Sequence, residues 1–176
     1  DLKLAYVPPE KILNALDLAS GDFAWDDEPT RSLQVMEERP LKLTDKPNVI
    51  RRLSIDLNPA LASRNVPYGV VFVDLKSRRS RGLLKGWDTF RQTAMVQITD
   101  LGLTAAQSQD ELYVMATRLS SGEPLQRAEV TFRERATHKV LGHGYTDEQG
   151  LVKLPGPGRE GAAGPYVVTV EKGSDL

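Results

Sequence analysis

His138 and His143 are the only two histidines in the chain, and there is no cysteine. Together these facts narrow the metal and nucleophile chemistry open to it. Without a thiol there is no disulfide, no thiolate nucleophile and no cysteine-based zinc site. The stretch holding both histidines reads as one strand. An odd separation there turns the two rings to opposite faces, so they do not share a metal. A serine or threonine triad would need one of these imidazoles, and no Gly-x-Ser-x-Gly elbow is present to expose the nucleophile. Carboxylates are abundant, and paired ones are the raw material of general acid–base catalysis. They cluster instead in loops, as at Asp26-Asp27-Glu28, or on polar strand faces, as at Glu129. A phosphate-cradling Gly-x-x-x-x-Gly-Lys loop is absent, and the glycines of 156–164 alternate with prolines that suit a surface loop. No calcium loop of alternating Asp/Asn is found. The basic run Lys76, Arg78, Arg79, Arg81 and Lys85 reads as a solvated linker. The sequence thus nominates no catalytic, cofactor-binding or metal-binding residue, and the chain is expected not to be an enzyme.

Composition sets the outer bounds. The chain has 176 residues, 40% hydrophobic and 27% charged, with a formal net charge of -1. That is ordinary globular composition, sufficient for one large domain or two small ones. There is no basic excess to favour nucleic acid. No apolar run approaches the roughly 20 residues of a membrane-spanning helix. The chain opens at Asp1 without a methionine or an apolar leader, and is expected to be excised from a longer product.

In the second half, Ala94, Val96 and Ile98 alternate with Met95 and Gln97. Leu112, Val114 and Ala116 alternate with Tyr113 and Met115. The same period recurs at Ala128, Val130 and Phe132, and at Tyr166, Val168 and Val170. Such alternation predicts half-buried antiparallel strands. Ser120–Pro124, Thr146–Gly150 and the Gly/Pro stretch 155–165 supply turns between them. About seven strands are expected over 91–176, the size of an immunoglobulin-like sandwich. Asp147 and Gly150 bracket a tight turn, the first by accepting backbone amides and the second by adopting positive φ.

The first half is more mixed. Leu2, Leu4 and Tyr6 predict an opening strand. Pro9 then introduces a short helix near 9–19, with Ile12, Leu13 and Leu16 on one face and Gly21 past its end. The acidic stretch from Asp22 to Glu28 reads as a solvated loop. Further strands are predicted at Ser32–Glu37, Val49–Leu57 and Gly69–Leu75. The expected architecture is all-β: two tandem sandwich domains, 1–90 with the short helix and 91–176, separated by the charged segment after Leu75.

The segment Val96-Gln97-Ile98-Thr99-Asp100-Leu101-Gly102-Leu103 resembles a signature of bacterial alpha-2-macroglobulins, in which a strand ends in Thr-Asp-Leu-Gly-Leu. The pieces expected next follow in order: a strand at Glu111–Thr117, a Gly-x-Pro loop at Gly122-Glu123-Pro124, an Ala128-Glu129-Val130 strand, and a Thr146-Asp147-Glu148-Gln149-Gly150 turn. Together they cover roughly residues 92–155. The preceding half looks like a neighbouring macroglobulin-like (MG) domain. This resemblance implies an immunoglobulin/fibronectin-like scaffold fragment of a broad-spectrum protease inhibitor, which traps proteases after cleavage of a bait segment. It implies neighbouring MG domains as partners, target proteases engaged by the whole protein, a periplasmic or cell-envelope location, and a parent anchored by lipid. It implies neither a cofactor nor nucleic acid. The family's reactive thioester needs a cysteine, so this chain does not hold it. The competing reading is an Ig-like module of a bacterial surface adhesin or other envelope protein.

Overall fold

Leu2–Val7 (β1) is flanked by Gln34–Arg39 (β2) and by the long strand Gly69–Ser80 (β3), which turns back as Trp87–Ile98 (β4). The four form one antiparallel sheet in the order β2-β1-β3-β4. The computed structural model describes residues 1–20, 29–41, 52–62, 64–80, 87–158 and 164–176. It divides into two compact units, Asp1–Ile98 and Thr99–Leu176.

Register explains the core of the first unit. Leu4 pairs with Val73 and Ala5 with Phe72, so neighbours in the ladder share a face. One face gathers Leu2, Leu4, Val71 and Val73 against Ala60 and Leu61 of a short helix, Asn58–Ala62 (α2). The other carries Ala5, Val7, Val70 and Phe72, all buried as well. A helix, Ile12–Ser20 (α1), packs against β3 and β4 and buries Ile12, Leu13 and Ala15. A single 3-10 turn at Pro9–Lys11 leads into α1, with proline in its first turn as the sequence predicts. Burial on both faces is why Val70–Val73 is an unbroken apolar run.

One buried polar group interrupts this core. Asp74 on β3 is 1% exposed and receives both arms of the Arg91 guanidinium from β4, Nε to Oδ1 at 2.8 Å and Nη2 to Oδ2 at 2.6 Å. Lys3 stands opposite Asp74 on β1.

Three sequence expectations change here. Residues 52–57 of the predicted Val49–Leu57 strand join no sheet. Of the alternating set, Ile55 and Leu57 pack against the core, whereas Leu53 is exposed, as are Arg52, Ser54 and Asp56. Alternation thus identified two of the three inward positions and does not by itself supply a ladder partner. Residues 76–80, read as linker, continue β3 and pair with β4 from Lys76↔Arg91 to Ser80↔Trp87. A charged run without apolar periodicity is compatible with a linker and with a continuing strand, so the two look alike in sequence. Residue 90 accordingly lies inside β4, and the units divide at Ile98/Thr99. The all-β fold class expected for the chain is the observed one; among the described residues the first unit has one sheet, with helices packed on it. The acidic stretch 22–28 lies outside the described residues.

In the second unit, Leu101–Gln107 (β5), Glu111–Arg118 (β6) and Leu151–Pro155 (β9) form the sheet β5-β6-β9. Glu129–Glu134 (β7), Val140–Tyr145 (β8) and Tyr166–Glu171 (β10) form the sheet β10-β7-β8. Leu112, Val114 and Ala116 of β6 and Leu154 of β9 meet Val130, Phe132 and Val170 between the sheets. Phe132 lies against Tyr166 with ring centroids 5.3 Å apart. Among the described residues of this unit the strands number six, and Ala94–Ile98, expected as the first strand of this domain, belongs to β4 of the first unit.

Candidate functional site

The Thr99-Asp100-Leu101-Gly102 signature opens the second unit, and its polar atoms are consumed in holding it. Thr99 Oγ1 donates to Asp175 Oδ1 at 2.6 Å and accepts from the Leu101 amide at 2.9 Å. The Asp100 amide donates to Asp175 Oδ2 at 2.9 Å. Asp175 is 7% exposed and sits in a tight turn with Lys172. Its carboxylate therefore ties the last turn of the unit to its first residues. The Asp100 carboxylate points elsewhere, accepting the Ser120 amide at 2.8 Å, the Ser120 hydroxyl at 2.9 Å and Arg118 Nη1 at 3.3 Å. The Ser120 donors, with Arg118 behind them, hold its carboxyl below the ordinary range. At Gly102 a Cβ would come within 2.9 Å of Leu119 Cδ2 and Thr117 Oγ1, both side-chain ends that would have to shift.

The Thr146–Gly150 turn is built on the same logic. The buried Thr146 hydroxyl donates to the Leu125 carbonyl and accepts from the Ala128 amide at 2.8 Å. Asp147 Oδ1 accepts the Gln149 amide at 2.9 Å and the Leu151 amide at 2.8 Å. Gly150 has φ +74, and a Cβ there would sit 2.5 Å from the Ala116 carbonyl oxygen. The predicted roles of Asp147 and Gly150 are thus the observed ones.

The two histidines are not brought together. His138 lies in the β7–β8 turn at φ 60 and not on the strand expected to carry it, whereas His143 lies within β8. His143 Nε2 is 2.9 Å from Glu129 Oε1, and its ring meets Tyr145 edge-on at 5.4 Å. Among the described residues no group of three or more His, Asp or Glu side chains could hold a metal ion. Among the same residues no helix is long and apolar enough to cross a membrane.

The outer faces of both sheets mix polar and apolar residues. On β10-β7-β8 the outward residues are Glu129, Thr131 and Arg133, then His143 and Tyr145, then Val167, Thr169 and Glu171; Tyr145 is 58% exposed, and Arg133 Nη1 donates to Thr169 Oγ1 at 3.2 Å. On β5-β6-β9 they are Gly102, Thr104 and Ala106, then Met115 and Tyr113, then Leu151 and Lys153. Tyr113, Met115 and Leu151 are 44%, 39% and 42% exposed. The Tyr113 hydroxyl donates to Glu111 Oε2 at 2.9 Å, Lys153 Nζ pairs with Glu111 Oε1 at 2.5 Å, and Lys153 lies 5.5 Å from the Tyr113 ring centroid. Lys153 first, and Tyr113 second, hold the Glu111 carboxyl below its usual value, while Glu111 raises that of Lys153. Sequence reasoning nominated no such face. Its signal was present, since Tyr113 and Met115 occupy positions of β6 where alternation calls for polar residues.

The comparisons agree with this architecture. Residues 98–176 match the family model of the bacterial alpha-2-macroglobulin MG3 domain, which spans the second unit. No curated protein matches the chain. Its fold is similar to a crystal structure of native alpha-2-macroglobulin from Escherichia coli spanning domains NIE-MG1, with TM-score 0.65, 16% identity, and coverage of 96% of this chain and 81% of that one. A crystal structure spanning MG0-NIE-MG1 of the same protein gives TM-score 0.64, 17% identity, and coverage of 97% and 54%. Against the cryo-EM reconstruction of that protein's native conformation the values are 0.52, 15%, and 96% and 11%. At these identities the structural likeness speaks for the fold, and the similarity to the bacterial alpha-2-macroglobulin MG3 model is confined to residues 98–176, the second unit.

Proposed function

We propose that the chain is non-catalytic scaffold within a bacterial alpha-2-macroglobulin-like protease inhibitor that traps proteases after bait cleavage. The match of residues 98–176 to the MG3 domain carries this reading. The local chemistry supports it: Thr99, Asp100, Thr146, Asp147 and Asp175 are all engaged in securing turns. With no cysteine in the chain, any thioester of the parent resides in another part of that protein. The parent is placed in the periplasm or cell envelope, held there by lipid, with these units as part of the trap's walls and neighbouring MG domains as their contacts.

The test is to incubate the parent protein with trypsin and assay the trypsin on a large protein substrate and on a small peptide. Steric trapping abolishes activity on the large substrate and spares the small one. Full activity on both overturns the reading for this protease.

A further inference from the structure

We infer that the Asp175 carboxylate is a mechanical latch that joins the entry and the exit of the second unit. Tension applied along the chain meets its hydrogen bonds before it reaches the sandwich. The latch lies wholly within Thr99–Leu176 and does not depend on what a longer protein would inhibit.

Thr99 and Asp100 are the first residues of the unit, and their polar groups are fastened inside it. The Thr99 hydroxyl donates to Asp175 Oδ1 at 2.6 Å, and the Asp100 amide donates to Oδ2 at 2.9 Å. The Asp100 carbonyl accepts the Leu119 amide at 2.7 Å. Each oxygen of Asp175 is thus held by a donor 76 or 75 positions earlier in the chain. The two bonds act in parallel, from adjacent residues, and share any strain.

The exit is bent back to reach them. After β10 the chain reverses at Lys172–Asp175. There the Lys172 amide donates to the Asp175 carbonyl at 2.9 Å, and the Asp175 amide donates to the Lys172 carbonyl at 3.2 Å. Gly173, at φ +65, takes the left-handed conformation within this reversal. Lys172 Nζ donates to the carbonyls of Gln126 at 2.7 Å and Arg127 at 3.2 Å, anchoring the turn to the segment before β7. Asp175 and Leu176 are both buried, so the exit is seated on the unit.

Topology gives these bonds their mechanical place. β5 and β10 are the first and last strands of the unit, and they lie in different sheets. Among the described residues each is paired along one edge alone, β5 with β6 and β10 with β7. Strands held on one side are the ones that peel. While the latch is closed, a pull on the two ends of the unit strains the Asp175 bonds and spares β5 and β10. Once it opens, the same pull falls on both strands directly. Hydrogen bonds to a carboxylate are roughly twice as strong as neutral ones, which suits an aspartate to this position.

Force spectroscopy on the full chain tests this. The chain has no cysteine, so introduced cysteines are its only attachment points. One pair, Gln97→Cys with a cysteine added after Leu176, places the latch between the handles. A second pair, Gln109→Cys with Lys139→Cys at exposed positions, spans a segment that contains neither Thr99 nor Asp175. Asp175→Asn replaces one acceptor by a donor. Along the first path it should raise the unfolding rate at a given load about ten-fold or more, because a hydrogen bond to a charged group is lost. Along the second path the rise should be several-fold smaller. Equal increases along both paths assign Asp175 to ordinary stability and overturn the proposal, as does an unchanged rate along the first. Thr99→Val, which withdraws one of the two donors, makes the same comparison should Asp175→Asn fail to fold.

Discussion

The two units bury apolar surface in different ways, and the difference decides where each can keep a charge. The first has one sheet whose centre, at Leu4–Ala5 and Val70–Asp74, is buried on both faces. Asp74, in that buried stretch, brings its partner Arg91 inside with it. The second packs two sheets together and leaves each with an outer face. Its Glu111–Lys153 ion pair and its Glu129–His143 hydrogen bond lie on those faces, and its buried polar groups are confined largely to turns. Both units carry exposed pairs, as at Lys3–Glu38 and Glu111–Lys153, whereas the buried pair Asp74–Arg91 belongs to the first.

The sharpest way to break that contrast is to remove one carboxylate from each. Asp74→Ala withdraws both oxygens from a guanidinium only 13% exposed. Breaking a buried pair from one side costs about 3–5 kcal/mol. Urea unfolding should show that loss, with faster amide exchange in β3 and β4. Glu111→Gln should leave the midpoint within error, because exposed pairs contribute little in salt-screened water. Equal losses for the two variants would abolish the distinction. Between these extremes lies Gly150→Val. A β-branched residue at φ +74 costs on the order of 1–3 kcal/mol, and contact with the Ala116 carbonyl adds to it. An unchanged thermal midpoint would mean that the Thr146–Gly150 turn is not built as described.

The same contrast governs how much was legible in the sequence. Leu112, Val114, Ala116, Val130 and Phe132 occupy one-sided strands, so period-two alternation exposed the second unit's core directly. Thr146, Asp147 and Gly150 act through local hydrogen bonds and φ, which short-range sequence encodes well. In the first unit, Val70–Val73 is buried on both faces and shows no period, so its strand was readable while its neighbours were not. The Asp74–Arg91 pair was invisible because it depends on the register of β3 with β4, a long-range property. The reach of β4 through residue 90 was hidden for a related reason. A charged run without apolar periodicity has the same sequence pattern in a strand extension as in a linker. Tyr113 and Met115 were legible in the sequence as apolar residues at outward positions of β6, but their neighbours Leu151 and Lys153 depend on the register with β9.

The smallest expected effect probes the turn that opens the second unit. Hydrogen bonds from Ser120, reinforced by Arg118, hold the Asp100 carboxyl below its unfolded value. A carboxylate with a depressed native pKa binds protons less readily when folded than when unfolded. Its contribution is therefore complete above the unfolded value, near 4, and drains away as pH falls through the native one. Glu111 adds a contribution of the same sign from the outer face, through Lys153 and Tyr113. Asp100→Asn should consequently make the second unit's urea midpoint fall less steeply between pH 5 and pH 3 than in the wild type, while the first unit's acid dependence stays as it was. If the two proteins lose stability in parallel over that range, the Ser120 amide and hydroxyl hold the turn through geometry alone. The charge of Asp100 would then be as dispensable as that of Glu111, and buried pairing in the first unit would be the one place in this comparison where a carboxylate's charge governs stability.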